Sequence, residues 1–280
     1  MKRIITIQDI SCVGKCSLTV ALPIISAMGV ECSVMPTAVL STHTQFKNFT
    51  FRDLTCDITP IANHFKEQKI SFDAIYTGYL GSFEQLDLVS QFIKDFRTKD
   101  NFVFIDPVMA DNGKLYPGFN EEFALAMAKL CGSANLIVPN LTEASFMLKK
   151  PYIEFGYNEE YIKDMLKSLA DLGCPNVALT GVRFSNNELG VMGYKAEKDE
   201  FFSYFHRYLN ASFHGTGDVF SSTVCGAIAR GADLEKALAL AADFTVDSLE
   251  TTINSPDHVT YGVEFEKLMP QLESRLQKIL

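Results

Sequence analysis

Ala74-Ile75-Tyr76-Thr77-Gly78-Tyr79-Leu80-Gly81-Ser82 and Phe102-Val103-Phe104-Ile105-Asp106-Pro107 enclose a helical pattern at residues 83–96. Each flanking run is short, apolar and closed by turn residues, which is how a buried strand reads. The middle segment repeats its apolar residues at helical spacing. Strand, helix, strand in this order forms a βαβ unit, the crossover that parallel strands require. The alternation extends in both directions. Further strands are expected at 3–7, 32–40, 136–138 and 177–179, and helices at 18–28, 58–67, 121–130, 143–148 and 159–172. Residues 49–54 fall off this rhythm as an added strand or flap, and 189–194 with 200–204 read as an antiparallel pair near a sheet edge. From Gly217 on, three helices are expected, with breaks near Gly231 and Asn254-Ser255-Pro256. No linker, repeat or low-complexity segment interrupts the pattern. One α/β domain over residues 1–280, built on a mostly parallel sheet, is the expectation.

The composition agrees. Of 280 residues, 47% are apolar, enough for one large core. No run of about 18 or more apolar residues occurs, so no membrane span is expected. The apolar start, Ile4-Ile5-Thr6-Ile7, turns polar at Gln8-Asp9 and is too short for a signal-peptide core. The 7 cysteines are odd in number and form no CxxC pair, which points to free thiols in a reducing cytoplasm rather than disulfides or zinc. A net charge of −9 argues against broad nucleic-acid binding but leaves room for a local nest of backbone N–H groups that binds an anion.

In an open α/β sheet, ligands bind beyond the carboxyl ends of the strands. That rule nominates residues 8–13, 41–46, 78–82, 106–113, 139–143 and Thr180-Gly181. Gly215-Thr216-Gly217-Asp218 leads directly into an apolar helix. Its glycines allow a sharp turn that aims successive N–H groups outward, and the helix dipole adds positive potential for a phosphoryl group. Asp218 sits in the first turn, where the dipole is expected to keep it ionised while it orients a hydroxyl. Read alone, the segment favours a plain helix start with a favourable acid. Asp106, at a strand end before Pro107, reads as a Mg²⁺ ligand or as a turn initiator. Asn140 and Glu143 read as a capping box or as part of a metal–nucleotide site. Gly14-Lys15-Cys16-Ser17 fails as a P-loop, because Asp9 stands where a glycine is needed and Cys16 where Ser or Thr is needed. His43 lacks an evident nucleophile or metal partner and reads as a hydrogen-bonded structural histidine.

Taken in order, Ile7-Gln8-Asp9, Thr42-His43-Thr44-Gln45-Phe46, Thr77-Gly78-Tyr79-Leu80-Gly81-Ser82, Asp106-Pro107-Val108-Met109, Pro139-Asn140-Leu141-Thr142-Glu143 and Gly215-Thr216-Gly217-Asp218 resemble the pyridoxal kinase family of the ribokinase-like superfamily. The resemblance covers nearly the whole chain. It implies a three-layer α/β/α fold, usually as a homodimer, and ATP-dependent phosphorylation of the 5′-hydroxymethyl group of pyridoxal, pyridoxine or pyridoxamine. It also implies Mg²⁺ with the ATP, often with a monovalent cation such as K⁺. By motif, Asp218 is the catalytic base, and Gly215, Thr216 and Gly217 form the anion hole. Asp9, Ser11, Thr44, Gln45 and Tyr79 line the vitamer pocket, with Val13 as an apolar contact. Asp106 and Glu143 serve the metal–ATP side, together with Val138, Thr180 and Arg207. The run Phe205-His206-Arg207-Tyr208 would cover phosphates or adenine.

Two departures bear on the substrate. Pyridoxal kinases commonly carry Ser where this chain has Asp9, and hydroxymethylpyrimidine kinases often carry an acid there. An acid facing the ring would favour a protonated pyridine nitrogen or the amine of pyridoxamine. Aldehyde trapping by a cysteine, a feature of one related group, is not expected, since Asp218 closes the catalytic segment. Tyr79 and His43-Thr44-Gln45 favour the vitamer reading over a hydroxymethylpyrimidine kinase. A non-catalytic pyridoxal phosphate binder is the reading from another class.

Overall fold

In the computed structural model, which describes residues 1–211 and 213–280, the first strand does not stop at the polar pair Gln8-Asp9. It is β1 (Arg3–Val13), followed by α1 (Leu18–Ala27), β2 (Glu31–Thr42), β3 (Phe51–Asp53), α2 (Thr55–Glu67) and β4 (Ala74–Thr77). Then come α3 (Phe83–Phe96), β5 (Phe102–Ile105), β6 (Ala110–Asp111), β7 (Lys114–Leu115), α4 (Glu121–Cys131), β8 (Leu136–Ile137), α5 (Leu141–Leu148) and α6 (Glu159–Ala170). The chain closes with β9 (Asn176–Val182), β10 (Glu188–Lys195), β11 (Glu200–Arg207), α7 (Thr216–Ala229), α8 (Leu234–Ile253) and α9 (Met269–Gln277). These elements fall into two compact units. One consists of Met1–Gly78, Thr98–Asn101 and Leu209–Leu280, the other of Tyr79–Arg97 and Phe102–Tyr208.

In the first unit the strand order is β4-β1-β2-β3, with β4, β1 and β2 parallel and β3 antiparallel on β2. The off-rhythm segment at 49–54 is thus the added edge strand. Ile4, Ile5, Thr6, Ile7 and Gln8 all have 0% exposure. Consecutive side chains point to opposite faces, so both faces of β1 are covered, as a parallel sheet between helices requires. Pairing runs from Arg3↔Glu31 to Val13↔Thr42 with one irregularity, where Gln8↔Pro36 is followed by Ile10↔Val39. β2 there supplies one residue more than β1, beside a proline that has no N–H for the ladder. Residues 8–13, expected to form a loop, therefore belong to the strand. Their polar side chains are carried inward instead of outward. α7 is buried without interruption over residues 219–227, with α1 and α8 packed against it.

In the second unit the order is β11-β10-β9-β8-β5, with β5, β8 and β9 parallel. β10 and β11 are antiparallel, as the sequence predicts for that edge. β9 extends past the expected 177–179 because β10 continues the ladder to Val182↔Gly190. α3, α4, α5 and α6 each start at a side-chain cap, from Ser82, Asn120, Asn140 and Asn158. The hairpin β6–β7 was not anticipated. Asn112 and Gly113 have φ of 50° and 73°, the two left-handed positions of a type I′ turn, so the Asn-Gly dipeptide was its available signal. The α/β class with a mostly parallel sheet is the one expected.

Asn158 is remote from the candidate ligand residues, and its side chain accepts from the N–H of Tyr161 at 2.9 Å. Asn158→Ala is expected to cost about 1 kcal/mol, seen as a lower urea midpoint at unchanged slope.

Candidate active site

α7 starts without a side-chain cap. Its N-cap, Gly215, has φ 81°, and a Cβ there would lie 1.8 Å from the carbonyl oxygen of Lys15. Only glycine fits this approach. The stretch 14–17, which fails as a P-loop, is thereby held against the start of α7. Its last residue, Ser17, has φ 49°, uncommon for a side chain with a Cβ. The Ser17 backbone acts on the Asp218 carboxyl in the direction that lowers its pKa. The Ser17 hydroxyl donates to Asp9 Oδ1 at 2.6 Å, and Ser11 donates more weakly to Asp9 Oδ2 at 3.4 Å. Asp9, Ser11 and Ser17 are all buried. The first unit thus holds Asp9 on two serine hydroxyls, and the loop that carries Ser17 packs on the start of α7.

The electrostatics differ from expectation. Asp218 lies at the positive end of a helix, which favours its charge, yet its pKa is raised from 3.8 to about 7. Burial of the carboxyl is the main cause, and the nearby Asp9 adds to it against the Ser17 backbone. The residue keeps some surface exposure, but water is largely excluded from the carboxyl itself. The expectation that the dipole keeps Asp218 ionised is therefore corrected: lost hydration outweighs the dipole. Burial also raises the pKa of Asp9, opposed by the Ser17 and Ser11 hydroxyls and by His43. Burial, with both acids adding, raises the Cys16 thiol, so it stays protonated.

His43 Nδ1 accepts from the N–H of Gln45 at 3.2 Å, which leaves Nε2 to donate to the Tyr261 carbonyl at 3.0 Å. This is the structural histidine the sequence indicates. Its ring stacks on His214 at 4.3 Å between centroids, and burial lowers the His214 pKa to about 4. The contact brings the residue before Gly215 against the turn that carries Thr44 and Gln45, both exposed. Sequence reasoning missed Ser17 and His214. Above Gly217 no atom lies within 4 Å of the Cβ direction, so an anion has room at the amino end of α7.

The second unit holds the other expected residues. Asp106 follows β5 and is buried; Val138, also buried, follows β8; Thr180 lies in β9, its hydroxyl 3.3 Å from the Pro139 carbonyl. The capping box of α5 is real: the Glu143 N–H donates to Asn140 Oδ1 at 2.9 Å, and the Asn140 N–H donates to Glu143 Oε2 at 2.8 Å. The Met109 N–H donates to Glu143 Oε1 at 3.1 Å. Burial, with Asp106 adding, still raises the Glu143 pKa well above the usual carboxylate range. A buried acid beside a second buried carboxyl suits a cation, and Mg²⁺, which keeps several waters, needs only one or two carboxylates. Among the described residues no group of three acids, histidines or cysteines forms a closed metal cage. Tyr79 is half-buried against Phe119, at 5.6 Å between ring centroids. Arg207 ends β11, two strands from Thr180 in the sheet order, and is exposed.

A carboxyl at a glycine-led helix start suits phosphoryl transfer, and the family match makes the protein a phosphotransferase. The phosphomethylpyrimidine kinase family matches residues 22–261, and the chain belongs to that family, with the pyridoxal kinases, in the ribokinase-like superfamily. A Bacteroides thetaiotaomicron protein provisionally named a phosphomethylpyrimidine kinase is 39% identical, with a TM-score of 0.93 over 97% of this chain and 94% of that one. A second crystal form of that protein, with pyridoxal, matches at 38% identity and a TM-score of 0.92, over 97% and 96%. The pyridoxal kinase of Lactobacillus plantarum is 27% identical, with a TM-score of 0.89 over 98% and 97%. The pyridoxine kinase of Bacillus subtilis is 30% identical over 190 residues, so the chain spans 65% of that curated relative's length.

The raised pKa of Asp218 also predicts a stability effect. A folded-state pKa above the ordinary value means that proton binding favours the folded state. The charge costs nothing below about 4, and its full cost is present above about 7. Asp218→Asn removes that cost. Relative to wild type, its stability is expected to rise between pH 4 and pH 8 by up to about 4 kcal/mol, measured by urea denaturation.

Proposed function

We propose that this protein transfers the γ-phosphoryl group of ATP to the 5′-hydroxymethyl group of pyridoxal, pyridoxine or pyridoxamine. The observation that carries the reading is the enclosed Asp218 carboxyl, with a pKa of about 7, at the amino end of α7. A base works best when its pKa lies near the operating pH. The acceptor oxygen bonds to the γ-phosphorus as the bond to the β-phosphate oxygen breaks, leaving that electron pair on ADP. The hydroxyl proton passes to Asp218. Gly215, Thr216 and Gly217 direct backbone N–H groups at the charge on the phosphoryl oxygens. Asp106, Glu143, Val138, Thr180 and Arg207 serve the nucleotide. Mg²⁺ would be held by Asp106 and Glu143, directly or through water, and would neutralise phosphate charge. Thr44, Gln45, Ser11, Asp9 and Tyr79 hold the ring. A K⁺ requirement, homodimer assembly and a cytoplasmic setting are part of the same proposal.

The vitamer as acceptor is supported by the pyridoxal bound to the Bacteroides thetaiotaomicron relative. Asp9 and the description of the matched family favour a second reading, in which the acceptor is hydroxymethylpyrimidine. ADP release over a panel of the three vitamers and hydroxymethylpyrimidine decides between them. Higher kcat/KM is expected on at least one vitamer. Turnover of the pyrimidine alone would install the second reading, and no turnover of any would leave a binding protein.

Two variants test the roles. Asp218→Ala should lower kcat by about a thousandfold while largely sparing ATP affinity, and full activity would sink the mechanism. Glu143→Gln keeps one acceptor oxygen for the Asn140 N–H of the capping box but sets its NH2 against the Met109 N–H, so its melting temperature should fall modestly. Its turnover at limiting Mg²⁺ should fall about 10–100-fold.

A further inference from the structure

The proposed reaction leaves His214, the residue before Gly215, without a task. Its ring lies flat on that of His43, with 4.3 Å between centroids and 14° between planes. Its Nδ1 is buried and has no hydrogen-bond partner among the described residues. A polar atom buried bare destabilises the fold, so what the ring gives in return is its face. Burial keeps the imidazole neutral above about pH 4, and its own charge does not disturb the stack. His43 is fixed on its other edges. The Gln45 N–H donates to its Nδ1 at 3.2 Å, and its Nε2 donates to the Tyr261 carbonyl at 3.0 Å. Phe46 meets the ring edge-on, at 5.0 Å between centroids. Gly14, with φ 136°, comes so close that a Cβ there would lie 2.4 Å from the His43 Cδ2 atom. On the far side of the stack, His214 runs directly into Gly215, which packs on the Lys15 carbonyl.

We propose that His214 is a positioning residue whose stack on His43 sets the spacing between the turn that carries Thr44 and Gln45 and the turn at Gly215–Gly217. The inference rests on the reading given under Proposed function, in which the first turn holds the vitamer and the second the phosphoryl group. Transfer needs the acceptor oxygen about 3–3.5 Å from the phosphorus, and an error of about 1 Å lowers the rate about 100-fold. Two flat rings in contact resist compression, and the hydrogen bonds of His43 keep its ring from sliding or turning. Of the rings that meet His43, His214 is the one next to Gly215 in the chain, while Phe46 and Tyr261 belong to other segments. Without the stack the two turns part, and water enters between acceptor and phosphoryl group. A water oxygen then bonds to the γ-phosphorus as the bond to the β-phosphate oxygen breaks. The water loses a proton to solvent, and inorganic phosphate leaves with ADP.

The test is the share of ADP formed that is matched by phosphorylated vitamer, measured on the full chain at saturating ATP and vitamer. His214→Ala should lower kcat about 10–100-fold and the matched share at least about twofold, with the ADP dissociation constant held within about twofold. His214→Phe restores a ring face without the bare nitrogen. It should recover most of both quantities, with a melting temperature no lower than that of the wild type. Where the alanine variant does not fold, His214→Gln, which fills more of the space but offers no ring, takes its place with the same expectations. Proton NMR reports the stack without turnover: the His43 ring signals, recognised by their loss in His43→Gln, should move downfield in His214→Ala. Lower kcat with an unchanged matched share, or no recovery in His214→Phe, would mark a merely structural role and overturn the inference. Wild-type transfer left unaltered in His214→Ala would refute this inference alone. A wild type that phosphorylates no acceptor would refute the kinase reading and the inference together.

Discussion

The exclusion of water from one carboxyl organises the first unit. Asp218 stands where a helix dipole would hold a surface acid ionised, yet burial keeps it half-protonated near neutrality. That condition depends on the loop 14–17 lying flush against the turn at Gly215, where no Cβ could be admitted. It also depends on β1 continuing past Gln8, which brings Asp9 and Ser11 into the covered part of the sheet rather than onto a solvated loop. A buried acid of this kind is a cost to the fold, offset by the apolar packing around α7.

The second unit solves a related problem with backbone rather than side chains. Glu143 is buried beside Asp106, and two acids in such a place repel. Backbone N–H groups from Asn140 and Met109 bond to its two oxygens, so one residue both starts α5 and holds its carboxyl fixed beside Asp106. The sequence leaves a capping box and a metal–nucleotide role as competing readings of Glu143. The geometry makes the first a fact and leaves it compatible with the second, because each carboxylate oxygen has a further lone pair.

Much of this was legible in advance. β4 and β5 coincide with residues 74–77 and 102–105, and α3 with 83–96, because short apolar runs and helical periodicity survive when a segment is buried. The reading failed where polar residues were buried for a purpose. Gln8, Asp9 and Ser11 look like the end of a strand, since a polar run after an apolar one ordinarily marks a loop. Gly14-Lys15-Cys16-Ser17 lacks the P-loop residues, and no other motif draws attention to Ser17. Nothing local marks a serine for a left-handed conformation. That conformation goes with a tertiary contact, the packing of Gly215 against Lys15. The pKa of Asp218 was misjudged for the same reason: the dipole is local and readable, and the desolvation is tertiary.

The account places the acceptor's reacting hydroxyl at Asp218. A crystal structure with a B6 vitamer and a non-hydrolysable ATP analogue measures that directly. The predicted result is the 5′-hydroxyl within hydrogen-bond distance of the Asp218 carboxyl, about 3 Å, with the γ-phosphate at the Gly215–Gly217 turn. A vitamer whose hydroxymethyl group points away from Asp218 while its ring occupies the pocket would contradict it.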